Sequence, residues 1–292
     1  MRYVWEGTTI DDEGKEEPHR VVFTVTDLTK VIGGVRTVLC WDQDFVEGEL
    51  AETEIVFFAQ DNDGAVWSLG EYPEEYEDGN FVAAPTWIHG IKDGKAGILV
   101  PGKPKLGTPS FSQGWAPSVG FTDRGVVYQI GLKTTVPLGV YDDVLVIDES
   151  NKEEPDAHAL KYYARGVGNI RVGLRGAGDQ ESLELTTVEQ LSAEELAKAR
   201  DDVLKLETHA YEISKDVYAH TKPSQGRSDS KLIESDPLTN RPEHAAATAP
   251  THTEPRAPAP VRKISDEQAK EIAVKTVPGE AMCGVVFGGD RR

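Results

Sequence analysis

The sequence predicts a mainly β fold, α+β in class: a curved antiparallel sheet or unclosed β-barrel with one long C-terminal helix, then a disordered linker and a short helix. Three observations predict it. Turn dipeptides recur at regular intervals through the first two thirds of the chain. Apolar and polar residues alternate with period two between them. One later stretch switches to a helical period.

The turn signals are Glu13-Gly14, Gly33-Gly34, Glu47-Gly48, Asp63-Gly64, Asp78-Gly79 and Asp93-Gly94. Such pairs supply the positive φ of a tight hairpin. Between them Val21, Phe23 and Val25 alternate with Val22, Thr24 and Thr26. Val35, Thr37, Leu39 and Trp41 alternate with Arg36, Val38, Cys40 and Asp42. Ile55-Val56-Phe57-Phe58 is apolar on both faces, as a central strand is. Residues 101–125 break the rhythm with Pro101, Pro104, Pro109 and Pro117 among glycines, so they read as a long loop or a strand crossover. Its aromatics, Phe111, Trp115 and Phe121, read as pins that hold the loop to the core. Strands resume at Val126–Ile130, Asp143–Ile147, His158–Ala164, Ile170–Val172 and Ser182–Leu185, which completes a β domain over residues 1–191.

Ser192-Ala193-Glu194-Glu195 is a capping box. Leu196, Ala199, Val203, Leu206, Ala210, Ile213 and Val217 then fall at steps of three and four, one apolar stripe down a helix of roughly seven turns. Residues 192–221 are therefore read as an amphipathic helix laid on the sheet. Residues 222–262 are rich in proline and poor in large apolar residues, which reads as a disordered linker. In 263–292, Ser265 caps a short helix that Pro278-Gly279 ends.

Of the 292 residues, 50 are acidic and 31 basic, a net charge of -19. That sign repels phosphate backbones and anionic lipid, so nucleic acid is excluded as a partner; a cationic partner fits it. No run is apolar enough to cross a bilayer. Met1 is followed directly by Arg2-Tyr3-Val4-Trp5, which reads as a strand and not a leader; taken literally the chain is cytoplasmic, or it has lost an upstream leader. Two cysteines, Cys40 and Cys283, make no disulfide framework; one bridge between them is possible but would span nearly the whole chain, and Cys40 in its apolar strand reads more readily as a buried thiol.

No catalytic signature is present: no nucleophile elbow, phosphate loop, dinucleotide fingerprint or zinc motif. Asp61-Asn62-Asp63-Gly64 resembles part of a calcium loop, but Gly70 stands where the bidentate glutamate belongs, so it reads as a hairpin. Glu71, Glu74, Glu75, Glu77 and Asp78 crowd Tyr72 and Tyr76, which reads as a solvated acidic loop or, functionally, a cation-binding lip. No catalytic residue, metal site or cofactor is expected. The candidate ligand-lining residues are Trp41, Phe57, Trp67, Trp87 and Trp115, with core packing as the rival role of each. The expected partner is an apolar small molecule or a protein, and the expected state a monomer. An acid-pair hydrolase is the weakest alternative and requires two carboxylates facing each other across a cleft.

Lys263–Ala273 through Val277-Pro278-Gly279 resembles the opening helix of a PepSY domain, a module of envelope and secreted proteins linked to inhibition of peptidases. Tyr3–Gly7, Phe58–Trp67, Tyr76–Gly79 and Tyr162–Gly168 resemble a group of bacterial secreted proteins and lipoproteins, with Arg165 where the family pattern usually has proline. That resemblance implies an unclosed barrel wrapped around a helix, similar to lipoprotein carriers, an extracytoplasmic location, and no enzymatic residue. The resulting functional expectation is a non-enzymatic envelope or secreted binding protein that holds a ligand or partner on the concave face of its sheet. Its alternative is a regulatory module whose tail restrains a partner enzyme.

Overall fold

The computed structural model describes residues 1–11, 14–152, 155–176 and 181–226. The short-helix expectation for 263–292 and nearly all of the linker expectation therefore lie outside the described residues. The chain runs through β1 (Arg2–Ile10), β2 (Glu16–Ile32), β3 (Val35–Val46), β4 (Glu49–Gln60) and β5 (Val66–Glu77). The short strands β6 (Asn80–Ala83), β7 (Trp87–Ile88), β8 (Lys95–Val100), β9 (Phe111–Ser112) and β10 (Gly114–Trp115) follow. Then come β11 (Arg124–Val136), β12 (Gly139–Ser150), β13 (Ala157–Ala164), β14 (Gly168–Gly176) and β15 (Ser182–Glu189). Helix α1 (Ala193–Ile213) and a last short strand, β16 (Gln225–Gly226), complete the order.

These strands form one unclosed antiparallel sheet in the order β10-β8-β5-β4-β3-β2-β1-β15-β14-β13-β12-β11-β9. The expected hairpins at Gly33-Gly34, Glu47-Gly48, Asp63-Gly64 and Asp78-Gly79 are its turns. The outermost members of the path, β9 and β10, are separated in the chain only by Gln113. Phe111 and Ser112 pair with β11, whereas Gly114 and Trp115 pair with β8. Residues 111–115 thus join the two margins of the sheet and curl it on itself. This is the crossover that the prolines of 101–125 signalled.

Cross-strand partners share a face, so register assigns an inner and an outer row to each strand. The inner rows of both halves meet in one core that includes Trp5, Phe23, Val56, Phe58, Val172 and Leu185. Bulges along β11 bend the β11–β12 hairpin, and its far end joins this core through Leu132, Val136 and Val144. There the Leu138 amide donates to the Leu185 carbonyl at 3.2 Å.

The outer face of β2–β5 is covered by α1, with Leu39, Ile55, Phe57, Tyr72, Val203, Ala210 and Tyr218 buried between them. The helix starts as expected: Ser192 Oγ accepts from the Glu195 amide, and the Glu195 carboxylate accepts from the Ser192 amide. It ends earlier than the stripe implied. Ser214 closes it, and its hydroxyl accepts from the Tyr218 amide at 3.2 Å. Val217 therefore lies beyond the helix, and Tyr218 turns in to pack on Phe57 and Tyr72. A serine that bonds its own backbone competes with the helical ladder, which is why the stripe overran the end.

Polar anchors fix α1 to the sheet. Arg200 pairs with Asp27, His209 Nδ1 lies 2.6 Å from Glu74, and Lys30 Nζ donates to Glu207 at 2.7 Å. Lys30 and Glu207 are buried, and Glu207 also accepts from the Tyr218 and Ser224 hydroxyls. Desolvation lowers the Lys30 pKa, and the Glu207 charge opposes that shift. Removing one member of such a pair strands the other in low dielectric. Glu207→Ala is expected to lower the unfolding free energy by about 3–5 kcal/mol, and Lys30→Met with Glu207→Leu to be less damaging. Urea denaturation of both proteins checks this; a double variant as unstable as the single one contradicts it.

Candidate functional site

Along the inner rows, residue type changes in one sense. On β2 the row runs Phe23, Val21, His19; on β3, Cys40, Asp42, Asp44; on β4, Val56, Glu54, Glu52. On β12 it runs Leu145, Ile147, Glu149, and on β13 Tyr163, Lys161. The core is apolar where the β11–β12 hairpin closes it and ionisable toward the opposite rim. Glycine at position 70 sets one more of these positions. Its φ of +148° suits a bulge, and a Cβ there would lie 2.6 Å from the Trp87 carbonyl. The shifted register pairs Glu71 with inward-facing Val56.

Glu54, Glu71, Asp123 and Glu149 line one pocket with Ser68, Leu99, Gln113 and Phe121. The pocket holds about 20 Å³, the space of a single water-sized group. Gln113, at the join of the sheet margins, reaches into it. Its amide side chain donates to Glu149 Oε1 at 2.5 Å and to the Leu99 carbonyl at 3.4 Å, while its backbone amide donates to the Asp123 carbonyl. The join needs a glycine opposite: a Cβ on Gly97 would sit 2.3 Å from the Gln113 carbonyl carbon.

Burial pushes Glu149 up to about 7; Lys161 and the Gln113 hydrogen bond oppose the rise, and Asp123 and Asp148 add to it. Asp42 is raised well above the usual carboxylate range by burial first, then by Asp44, Glu52 and Glu181. One of its carboxyl oxygens, Oδ1, is buried with no hydrogen-bond partner. Among the described residues, Lys161, 4.0 Å from Glu181, and His19, 2.5 Å from Asp44, are basic groups on this face. Carboxylates dominate the rim, and burial favours the protonated form of Asp42 and Glu149 or an arriving cation beside them.

The five aromatic candidates fall elsewhere. Trp41, Phe57 and Trp67 pack on the helix-covered face. Trp41 Nε1 donates to Thr53 and Trp67 Nε1 to Asp61. Trp87 is buried against Phe121, with ring centroids 4.7 Å apart, and Trp115 lies half-buried on β10. The inner face carries Trp5, Phe23 and Phe58 instead. Asp61 is spent on the hairpin, accepting from the Asp63 and Ala65 amides. The acidic stretch 71–77 is strand β5 and not a solvated loop: Glu71 faces inward, and buried Glu74 accepts from the Tyr72 and Tyr76 hydroxyls on the other face. Cys40 is fully buried and is not the free thiol expected there; Cys283 lies outside the described residues. Among the described residues, no cluster of His, Cys, Asp or Glu is arranged to hold a metal ion, and no helix is long and apolar enough to cross a membrane. Sequence reasoning missed Asp42, Glu54, Gln113, Asp123 and Glu149, and named Glu71 only among the acids of a cation-binding lip around Tyr72 and Tyr76. The available signal was an acid at inward parity in a strand that is otherwise apolar there.

Comparison with protein families, with curated proteins and with solved structures finds no match to this chain.

The folded protein holds the Glu149 proton from its ordinary 4.5 up to about 7, so it binds more protons than the unfolded chain in that window. Stability therefore falls as pH rises through it and levels off above. Glu149→Gln removes this term. Relative to wild type, the variant is expected to gain about 3 kcal/mol between the bottom and the top of the window. Denaturant midpoints across that range measure it, and a stability difference that does not change with pH contradicts the assignment.

Proposed function

We propose that the protein is a non-enzymatic binding protein, and that the acid-lined rim takes one positively charged nitrogen from a partner segment. The observation that carries this reading is the buried Glu149 carboxyl, held protonated to about 7 beside Glu54, Glu71 and Asp123 in a pocket of about 20 Å³. An ammonium group fits that volume and can take the place of the proton. A lipid chain or a sugar ring does not fit, since sites for such ligands run to about 300–1,000 Å³. The same magnitude argues against an acid-pair hydrolase, although a raised carboxyl beside other acids is the arrangement such an enzyme uses. The filled apolar core likewise favours a partner segment over an apolar small molecule on the concave face. An extracytoplasmic setting rests on the sequence resemblance alone.

A cation that replaces a proton binds more tightly as pH rises. An N-acetylated peptide with a single lysine is expected to bind with affinity increasing from about pH 6 to pH 8 and to release protons in calorimetry. Its norleucine counterpart is expected not to bind. Glu149→Gln should weaken lysine binding about tenfold and flatten the pH dependence. Equal binding of the norleucine peptide, or affinity independent of pH, overturns the reading.

A further inference from the structure

Cys40 stands on the inner row of β3, is wholly buried, and is engaged in a disulfide. The sequence holds one other cysteine, Cys283. The cross-strand partner of Cys40 is Val56, and Val56 lines the acid pocket together with Glu54 and Glu71. Facing residues on neighbouring strands have Cβ atoms about 5 Å apart, and a disulfide holds its two Cα atoms about 6 Å apart. A chain segment bonded to Cys40 therefore lies next to the pocket wall. It reaches Cys40 from inside the curl, since α1 covers the outer face of these strands. Around Cys283 the sequence reads Ala281-Met282-Cys283-Gly284-Val285-Val286-Phe287, apolar and without charge. That composition suits the surroundings of Cys40, which packs with Phe23, Val56 and Phe58.

We infer that Cys40 and Cys283 form an intramolecular disulfide, and that the segment 281–287 is thereby held inside the curled sheet beside the acid pocket, where it restricts entry of a partner. The second half rests on the reading of the rim as a cation site. The bond forms by thiol–disulfide exchange. The two thiols give up two protons and two electrons to a small disulfide such as oxidised glutathione, which leaves as two thiols. A segment tethered so close competes with a free peptide at an effective concentration on the order of millimolar. Such a bond persists in an oxidising compartment, which agrees with an extracytoplasmic setting.

Mass spectrometry of the full chain, digested without reductant, tests the bond. The peptides that carry Cys40 and Cys283 are expected as one joined species that separates on reduction. Two free thiols, or Cys40 joined to Cys40 of a second copy, overturn the inference. Binding of the single-lysine peptide tests the placement. Cys283→Ser frees the segment and is expected to bind that peptide about tenfold more tightly than the oxidised wild type. Equal affinity in the two proteins, with the joined species present in the wild type, overturns the placement and leaves the rim reading standing. Lysine binding by neither protein overturns the rim reading and the restricted entry with it, while the joined species still supports the bond.

Discussion

The shape of this protein depends on five residues. Residues 111–115 pair with β11 through their first half and with β8 through their second, and so bring together margins that lie at opposite ends of the sheet path. Without that join the inner rows of β4 and β5 would not face β12. Two features make it tolerable. Gly97 leaves room for the close approach, and the Gln113 side chain satisfies acceptors on both sides, the Leu99 carbonyl and the Glu149 carboxyl. A curled sheet excludes water from its interior, and that exclusion is what shifts the carboxyls behind the join.

The two faces of the β2–β5 half answer different needs. Outside, α1 buries an aromatic and aliphatic layer, and each buried charge is matched: Lys30 by Glu207, Glu74 by two tyrosine hydroxyls and His209. That arrangement is what a packing surface requires. Inside, toward the rim, burial raises the carboxyl pKa instead. Asp42 keeps an unpartnered oxygen, and Glu149 and Asp42 both hold protons against their ordinary tendency to lose them. Buried carboxyls whose pKa is raised make the inner rim the candidate site, whereas the outer charges serve packing.

The hairpins were legible because Asp-Gly, Glu-Gly and Gly-Gly pairs act locally, and the helix start was legible because a capping box is read within four residues. The crossover was legible as a break in pattern, but its partners were not: pairing of 111–115 with β8 and β11 is a long-range fact that no local signal carries. The end of α1 was missed because an apolar residue at the right step, Val217, continued the stripe after Ser214 had closed the helix. The aromatic candidates were chosen by residue type, and parity would have sorted them better: Trp41, Phe57 and Trp67 share the outward parity of Leu39 and Ile55. Of the acids at inward parity, Asp42 and Glu54 stood in the same strands, β3 and β4, and Glu149 in β12. Glu71 could not be placed by parity at all, since the bulge at Gly70 resets the alternation.

The join at Gln113 and the state of Glu149 are tied by one measurement, the carboxyl-carbon NMR titration of Glu149 in the wild type and in Gly97→Val. A valine side chain at position 97 displaces 111–115 and lets water reach the pocket. Titration near 7 in the wild type, moving toward the ordinary 4.5 in the variant, is the expected result. The same titration midpoint in both proteins would contradict it.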